Sequence, residues 1–147
     1  RSRKIIDGAL DQLQYIKGAS SIVIRKQLDV DQIYSDGLRL KIVLNNLLSN
    51  AVKYSDENKT DRFISIKTYP SDGCCVIEVE DNGIGIKEQF HQEIFEMFFV
   101  ANSNKGSGLG LYIVKEAVEN MQGTISVESN INVGSKFTVK IPQHYGG

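Results

Sequence analysis

The sequence predicts an α/β sandwich, in which about three helices cover one face of a mixed, mostly antiparallel sheet of about five strands. Three stretches have apolar residues at the three- and four-residue spacing of amphipathic helices, and five shorter stretches are typical of strands. Four of these strands form two pairs, each joined by a short turn, without the strict βαβ alternation of a parallel sheet. The 147 residues suffice for one domain with a buried core.

Two helices and a strand are expected in the first part of the chain. The helices cover residues 5–18 and about 38–54, and the strand covers residues 22–28. Gly18 is expected to end the first helix, and Asp36 can cap the second by accepting hydrogen bonds from its first N–H groups. The apolar positions of the two helices are Ile6, Leu10, Leu13 and Ile16, and Leu40, Val43, Leu44, Leu47, Leu48 and Ala51.

Two hairpins and a third helix follow. The turns are expected at residues 70–73 and 132–134, which are rich in turn-forming residues, and Gly123 is expected to end the third helix. The predicted elements are strands at about residues 63–69, 75–80, 124–128 and 135–141, and a helix over residues 107–121.

Composition excludes several classes of function. The net charge of -1 gives no indication of nucleic acid or anionic lipid as a partner, and no apolar run approaches the ~20 residues of a membrane helix. Cys74 and Cys75 are adjacent and would point to opposite faces of a strand, so reduced cysteines in a cytoplasmic protein are expected. The chain shows no signal peptide. Because it begins without Met, it is expected to be a fragment of a larger protein, which could itself be membrane-anchored.

The run at residues 81–86, Asp-Asn-Gly-Ile-Gly-Ile, is the first candidate for binding chemistry. Asp81 stands at the end of a predicted strand, where a buried carboxylate needs a hydrogen-bonding partner such as the amino group of adenine. Gly83 and Gly85 would let the backbone approach a ring closely, and Ile86 ends the run. A simple hairpin turn is the alternative for this run alone, but the other motifs favour a nucleotide pocket.

The predicted second helix carries a second group of polar residues. Asn46 and Asn50 are four residues apart and share a face, with Lys53 and Tyr54 close to it. An amide oxygen can bind Mg²⁺, which usually keeps phosphate and water as its other ligands, and Lys53 can reach phosphate oxygens. For Asn45 a solvated helix face is the favoured interpretation.

A second glycine run, Gly106-Ser-Gly-Leu-Gly-Leu, opens the third helix. N–H groups at a helix N-terminus attract anions, and glycines allow phosphate to approach them. The run lacks the preceding strand and distant acidic residue of a dinucleotide-binding fingerprint, and no Lys-Ser/Thr pair follows it as in a Walker loop. The small polar residues at 101–105 suit a lid over the phosphates.

The order of these motifs, with a phenylalanine-rich segment between the glycine runs, closely resembles the catalytic, ATP-binding domain of bacterial sensor histidine kinases. That superfamily (the Bergerat fold) includes type II topoisomerase subunits, mismatch-repair ATPases and a heat-shock chaperone. The resemblance covers residues 21–142. It implies that residues 19–147 form the catalytic domain and that residues 1–18 are a helical connection from an upstream dimerisation and phosphoacceptor hairpin.

The resemblance also implies an ATP and Mg²⁺ site. Asp81 would bind the adenine amino group, Asn50 would bind Mg²⁺, Asn46 and Lys53 would serve the phosphates, and Tyr54 would lie beside the base. The phenylalanines would anchor the lid, and the glycines would shape the adenine pocket and line the triphosphate. The complete set of implied site residues is Asn46, Asn50, Lys53, Tyr54, Asp81, Gly83, Gly85, Ile86, Phe95, Phe98, Lys105, Gly106, Ser107, Gly108, Leu109, Gly110 and Leu111.

Asn46 occupies the position where hydrolytic members of the superfamily carry a glutamate. An amide cannot take a proton from water, so phosphoryl transfer to a histidine is favoured over ATP hydrolysis. His91 and His144 both lack the sequence context of the family's phosphoacceptor and are interpreted as surface residues. The expected partners are therefore an upstream acceptor domain and, through it, a response regulator. The fragment is expected to be monomeric and its parent homodimeric.

Val100 is the clearest departure from the family pattern. Many relatives have an arginine at this place that helps to hold the phosphates, and the lid is short here, so Lys105 is a candidate substitute. One alternative supported by Val100 therefore stays open, a nucleotide-responsive docking module with little catalysis. An anti-sigma-type serine kinase of the same superfamily, which would lack the acceptor hairpin, is a second and separate alternative.

Overall fold

The computed structural model describes residues 2–16, 19–30, 33, 35–97, 99 and 108–143. In this part of the chain five strands form one sheet in the order β1-β2-β3-β5-β4, with β1 parallel to β2 and the other pairs antiparallel. The predicted α/β sandwich is confirmed. The elements are α1 (Ser2–Leu13), β1 (Val23–Leu28), α2 (Gly37–Lys53), β2 (Phe63–Ser71), β3 (Cys74–Asp81), α3 (Gly110–Asn120), β4 (Thr124–Asn130) and β5 (Gly134–Pro142), with short 3-10 turns at Ala19–Ser21, Glu88–Phe90 and Glu93–Phe95.

Asp36 is the N-cap of α2, as predicted. Its Oδ1 accepts hydrogen bonds from the backbone N–H groups of Leu38 at 3.0 Å and Arg39 at 3.2 Å. A cap of this kind stabilises a helix by about 1 kcal/mol. The side chains of α2 that face the sheet are fully buried, and they give the helix a fixed rotation about its axis. The polar residues on its next face are thereby directed to one end of the domain.

The helices cover one face of the sheet. In β3, Ile77, Val79 and Asp81 lie on the buried face, whereas Glu78 and Glu80 lie on the opposite one. This period-two alternation places Asp81 beneath the helices, at the end of a central strand. No helix within the described residues is long and apolar enough to cross a membrane.

The first helix is part of the same hydrophobic core as the rest of the domain. Ile6, Ala9 and Leu13 are buried in this core, where α1 packs against α2. The boundary predicted at residue 18 therefore does not coincide with a gap in the core. The helix also ends at Leu13, before the predicted residue 18. Its continuation from an upstream hairpin stays a prediction.

The end of α3 corrects one detail of the sequence analysis. The helix ends at Asn120, and the residue with a positive φ is Gln122 at 59°, not Gly123. Gly123 serves close packing instead, because a Cβ there would lie 2.4 Å from the backbone oxygen of Lys140. The first hairpin turn is also tighter than predicted, since β2 extends through Ser71.

Candidate functional site

A cavity of about 260 Å³ opens where α2 and β3 end. One wall comes from α2, one from the residues after β3, and one from the β4–β5 hairpin. Its lining residues are Asn50, Tyr54, Asp81, Ile84, Gly85, Ile86, Lys87, Phe90, Ile94, Phe99, Leu111, Ile131 and Ser135. The cavity is thus mostly apolar, with a few polar groups, as expected of a small-molecule site.

Asp81 is the buried carboxyl group of this cavity, with 8% of its surface exposed. Burial raises its pKa to about 6, and the neighbouring charge of Glu80 adds to the rise. The backbone N–H groups of Gly83 and Ser135 and the charge of Lys59 oppose it. The Gly83 N–H donates to Asp81 Oδ1 at 2.8 Å. A buried carboxylate with remaining acceptor capacity can recognise a ligand that donates a hydrogen bond.

The backbone after Asp81 fits tightly against its neighbours because of two glycines. A Cβ on Gly83 would lie 2.2 Å from the carbonyl oxygen of Tyr54, and one on Gly85 would lie 2.1 Å from that of Asn130. Gly85 also has a φ of 76°, which other residues rarely adopt. The Ile84 N–H donates to the Tyr54 carbonyl at 3.0 Å. The glycines therefore join the end of α2, the turn after β3 and the end of β4.

A second, smaller cavity of about 70 Å³ adjoins the first. The two share Asn50, Tyr54, Ile94, Phe99 and Leu111. The second is more polar, and its other lining residues are Asn46, Ser49, Lys53, Gly108 and Gly110.

Asn46 links α2 to the start of α3 across this smaller cavity. Its Nδ2 donates to the carbonyl of Ile42 at 2.7 Å, one turn back along the helix. Its Oδ1 faces Gly110, where a Cβ would lie 3.5 Å away. The first N–H groups of α3 and the amides of α2 are therefore close together, and this arrangement favours an anion.

Ten of the predicted site residues line at least one of these two cavities, and three described ones, Gly83, Leu109 and Phe95, do not. Gly83 lies behind the wall that it shapes. Leu109 is the N-cap of α3, outside the lining. The ten are Asn46, Asn50, Lys53, Tyr54, Asp81, Gly85, Ile86, Gly108, Gly110 and Leu111.

Phe95 lies in the hydrophobic core and does not line either cavity. Its ring packs edge-on against Phe137 of β5, with centroids 6.1 Å apart. Predictions for Phe98, Val100, the lid at 101–105, Lys105, Gly106, Ser107 and His144 fall on residues outside those that the structure describes.

Several lining residues escaped the sequence analysis. Phe99 belongs to the phenylalanine-rich segment and packs against Phe90, with ring centroids 5.4 Å apart. The phenylalanine-rich segment is therefore the sequence feature that could have identified Phe99 as a site residue. Ile131 and Ser135 had no local signal, because only the pairing of β5 with β3 brings them to the cavity.

His91 is half-buried, and its Nε2 lies 2.9 Å from the carbonyl oxygen of Ile86. This contact joins it to the wall of the larger cavity. The histidine was interpreted from sequence as a surface residue, whereas here it supports the segment that follows the first glycine run.

The sequence matches the family of histidine kinase-, DNA gyrase B- and HSP90-like ATPases over residues 35–145. The sensor protein RprX of Bacteroides fragilis is 36% identical over 115 residues, which are 75% of this chain and 22% of RprX. The autoinducer 2 sensor kinase/phosphatase LuxQ of Vibrio vulnificus is 38% identical over 134 residues, which are 86% of this chain and 16% of LuxQ. The chain thus spans about a fifth of the length of these relatives.

Comparison with solved structures also finds histidine kinases. A mycobacterial sensor histidine kinase, MprB, superposes with a TM-score of 0.84 at 27% identity, covering 97% of this chain and 95% of the other. Full-length ShkA in complex with AMPPNP superposes with a TM-score of 0.75 at 26% identity, covering 94% of this chain and 30% of ShkA. With the family match, these similarities confirm the resemblance seen in the sequence: the chain belongs to the histidine kinase-, DNA gyrase B- and HSP90-like ATPase family, and its relatives are sensor histidine kinases.

Proposed function

We propose that this chain binds ATP with Mg²⁺ and donates the γ-phosphate to a histidine on an adjoining domain, within two-component signalling. The observation that carries the proposal is the pair of adjoining cavities, one mostly apolar with a buried carboxyl group and one polar at a helix N-terminus. Asn50 and Tyr54 line both, so one elongated ligand can occupy the two together.

The larger cavity suits the base. Asp81 is the acceptor for the adenine amino group, and apolar side chains such as Ile86 and Ile131 contact the faces of the ring. A buried acceptor that is left without a hydrogen bond costs binding free energy. The site therefore discriminates against bases that present a carbonyl, rather than an amino group, to Asp81.

The smaller cavity suits the phosphates. Gly108, with a φ of 78°, and Gly110 bring backbone N–H groups at the start of α3 toward it. Lys53 of α2 lines the same cavity and supplies a positive charge for the phosphates. Together these groups neutralise the triphosphate and orient its terminal phosphoryl group.

The donor groups present also fit Mg²⁺. Among the described residues no cluster of three or more His, Cys, Asp or Glu side chains could enclose a metal ion. Mg²⁺ usually binds nucleotide phosphates and waters together with only one or two protein oxygens, and the Asn50 amide can provide one. When bound, the ion would neutralise charge that develops on the phosphates during transfer.

The smaller cavity favours transfer over hydrolysis. Its described lining residues include no carboxylate, and the Asn46 side chain donates to a backbone carbonyl of its own helix. Among the described lining residues no carboxylate is available to remove a proton from water, whereas an imidazole brings its own nucleophile. The acceptor histidine's domain and, downstream, a response regulator are the partners that this function requires.

Thermal unfolding with and without saturating Mg²⁺-ATP tests the nucleotide site. A ligand at 100 times its dissociation constant stabilises by about 2.7 kcal/mol, which raises Tm by roughly 5 to 10 °C for this chain length. We expect the rise to require Mg²⁺ and to disappear in Asp81→Asn. Asp11→Asn is the matched control, because it makes the same chemical change at an exposed position of α1 that lines neither cavity.

Phosphotransfer is tested separately, by incubating a longer form that includes the upstream hairpin with γ-labelled ATP. Acid-labile label on a hairpin histidine supports the kinase function. ATP binding without such label would favour a nucleotide-responsive docking module, and no Tm rise in the wild type would contradict the proposed site.

A further inference from the structure

Lys59 lies in the loop between α2 and β2, and its ammonium contacts four backbone carbonyl oxygens. It donates to Asn82 at 2.7 Å and Gly83 at 3.4 Å, and to Asn132 at 2.7 Å and Val133 at 3.3 Å. Within the described part of the chain, it pairs with no carboxylate.

These carbonyls belong to two different turns. One turn follows β3 and the other joins β4 to β5, and they are 50 residues apart in sequence. Each turn leads directly into a wall of the larger cavity, through Ile84 and Gly85 on one side and Ile131 on the other. Carbonyl dipoles that converge on one point repel each other unless a cation lies between them.

The loop that carries Lys59 is itself held in place. The Lys59 N–H donates to the carbonyl of Asp56 at 3.0 Å, and the Asn82 side chain bonds to the backbone at both Asp61 and Phe63. The ammonium is therefore supplied from a fixed loop that packs behind the cavity. Lys59 is absent from the lining of both cavities, so any effect on a ligand must act through the two turns.

We propose that Lys59 is a positioning residue for the nucleotide base, because its ammonium holds the two turns at the separation that the base requires. This inference rests on the proposed function for the identity of the ligand. Its structural part, the link between the turns, does not depend on that function. The charge of Lys59 also lowers the pKa of Asp81 and so keeps the base acceptor more readily ionised.

Direct hydrogen bonds between the turns explain why removal of Lys59 should leave the fold intact. The Asn132 N–H donates to the Ile84 carbonyl at 2.8 Å, and the Ile86 N–H donates to Ser129 Oγ at 2.8 Å. Without the ammonium these bonds persist but open more often, because the converging carbonyls lose their shared cation.

The experiment compares the wild type, Lys59→Met and Lys140→Met. The Lys140 control removes a lysine of the same length from the exposed face of β5. Amide hydrogen exchange of the ligand-free protein is measured by NMR, and calorimetry measures binding of Mg²⁺-ATP, adenosine and inorganic tripolyphosphate. We expect Asn132 N–H exchange to be at least tenfold faster in Lys59→Met, with helix α2 amides such as that of Leu44 unchanged.

In the same variant we expect the dissociation constants of ATP and adenosine to rise about tenfold, equivalent to 1.4 kcal/mol, with tripolyphosphate affinity unchanged. Lys140→Met should match the wild type throughout. Unchanged Asn132 exchange overturns the inference, whether or not the wild type binds ATP. A wild type that binds no ATP contradicts the proposed function instead. Equal losses for tripolyphosphate and ATP would indicate general damage and would overturn the positioning role.

Discussion

The carbonyl of Tyr54 and the backbone at Gly83 are in direct contact, and this contact joins the end of α2 to the turn after β3. A Cβ on Gly83 would lie 2.2 Å from the Tyr54 oxygen and 2.9 Å from Asp81 Oδ1. The Tyr54 oxygen also accepts the Ile84 N–H at 3.0 Å. Asn50, near the end of α2, and Asp81 therefore have a fixed relative position across the larger cavity.

Gly83→Ala should damage both stability and nucleotide binding. The added methyl group meets backbone on one side and the site carboxyl group on the other, so one of them must shift. Overpacking of this kind costs about 1–3 kcal/mol, measurable as a lower free energy of unfolding in urea. Because the shift occurs at the site itself, ATP affinity should also fall.

Gly8→Ala is the matched control for that substitution. A Cβ at Gly8 would meet nothing within 4 Å, and Gly8 lies inside helix α1. Alanine is favoured over glycine there by roughly 0.5–1 kcal/mol, so this variant should be slightly more stable, with unchanged ATP affinity. Equal stability of Gly83→Ala and the wild type would contradict the close packing.

Asp81 should make the stability of the ligand-free protein depend on pH. Its pKa in the folded state, about 6, exceeds the ordinary value of 3.8, so the folded protein holds this proton more tightly than the unfolded chain. The contribution to stability is complete below about pH 4 and is lost as pH rises through 6. Two pKa units correspond to about 3 kcal/mol.

Asp81→Asn isolates that contribution. The free energy of unfolding of the variant, relative to the wild type, should increase as pH rises from about 4 to 6, because the amide does not ionise. Urea unfolding of both proteins at several pH values measures this difference in the free energy of unfolding. A pH-independent difference would show that the Asp81 carboxyl group titrates normally in the folded protein.

ATP affinity should rise with pH, whereas the stability of the ligand-free wild type falls. The ionised Asp81 carboxylate is the better acceptor for an amino group, so affinity should rise as pH increases through about 6. Calorimetric titration between pH 5 and 7.5 measures this. The adenine ring and the γ-phosphate also ionise in or near this range, so the wild-type profile is compared with that of Asp81→Asn. Identical profiles would exclude Asp81 from base recognition.

Asn50→Ala should weaken the Mg²⁺-dependent part of ATP binding. The amide lines both cavities and is the proposed protein ligand of the ion. We expect binding in Mg²⁺ to fall roughly tenfold or more, by analogy with the loss of a hydrogen bond to a charged group, and binding in EDTA to change little. Equal losses in Mg²⁺ and EDTA would contradict the assigned role.

Asn45→Ala provides the control for Asn50. Asn45 lies on another face of α2, where it lines the groove between α1 and α2 and neither nucleotide cavity. The variant removes the same amide from the same helix, so ATP binding should match the wild type with and without Mg²⁺.

The sequence by itself determined the local features: the Asp36 cap, the apolar face of α2, and the position of Asp81 at the end of a strand. Each depends on short-range spacing, which the order of residues encodes directly. Only the tertiary structure decided which distant residues complete the site. Ile131 and Ser135 reach it because β5 pairs with β3. Lys59 lies behind the site, where two turns converge on its ammonium. Phe95 belongs to a conspicuous aromatic segment, yet it packs in the core, since burial depends on which neighbours the completed sheet provides.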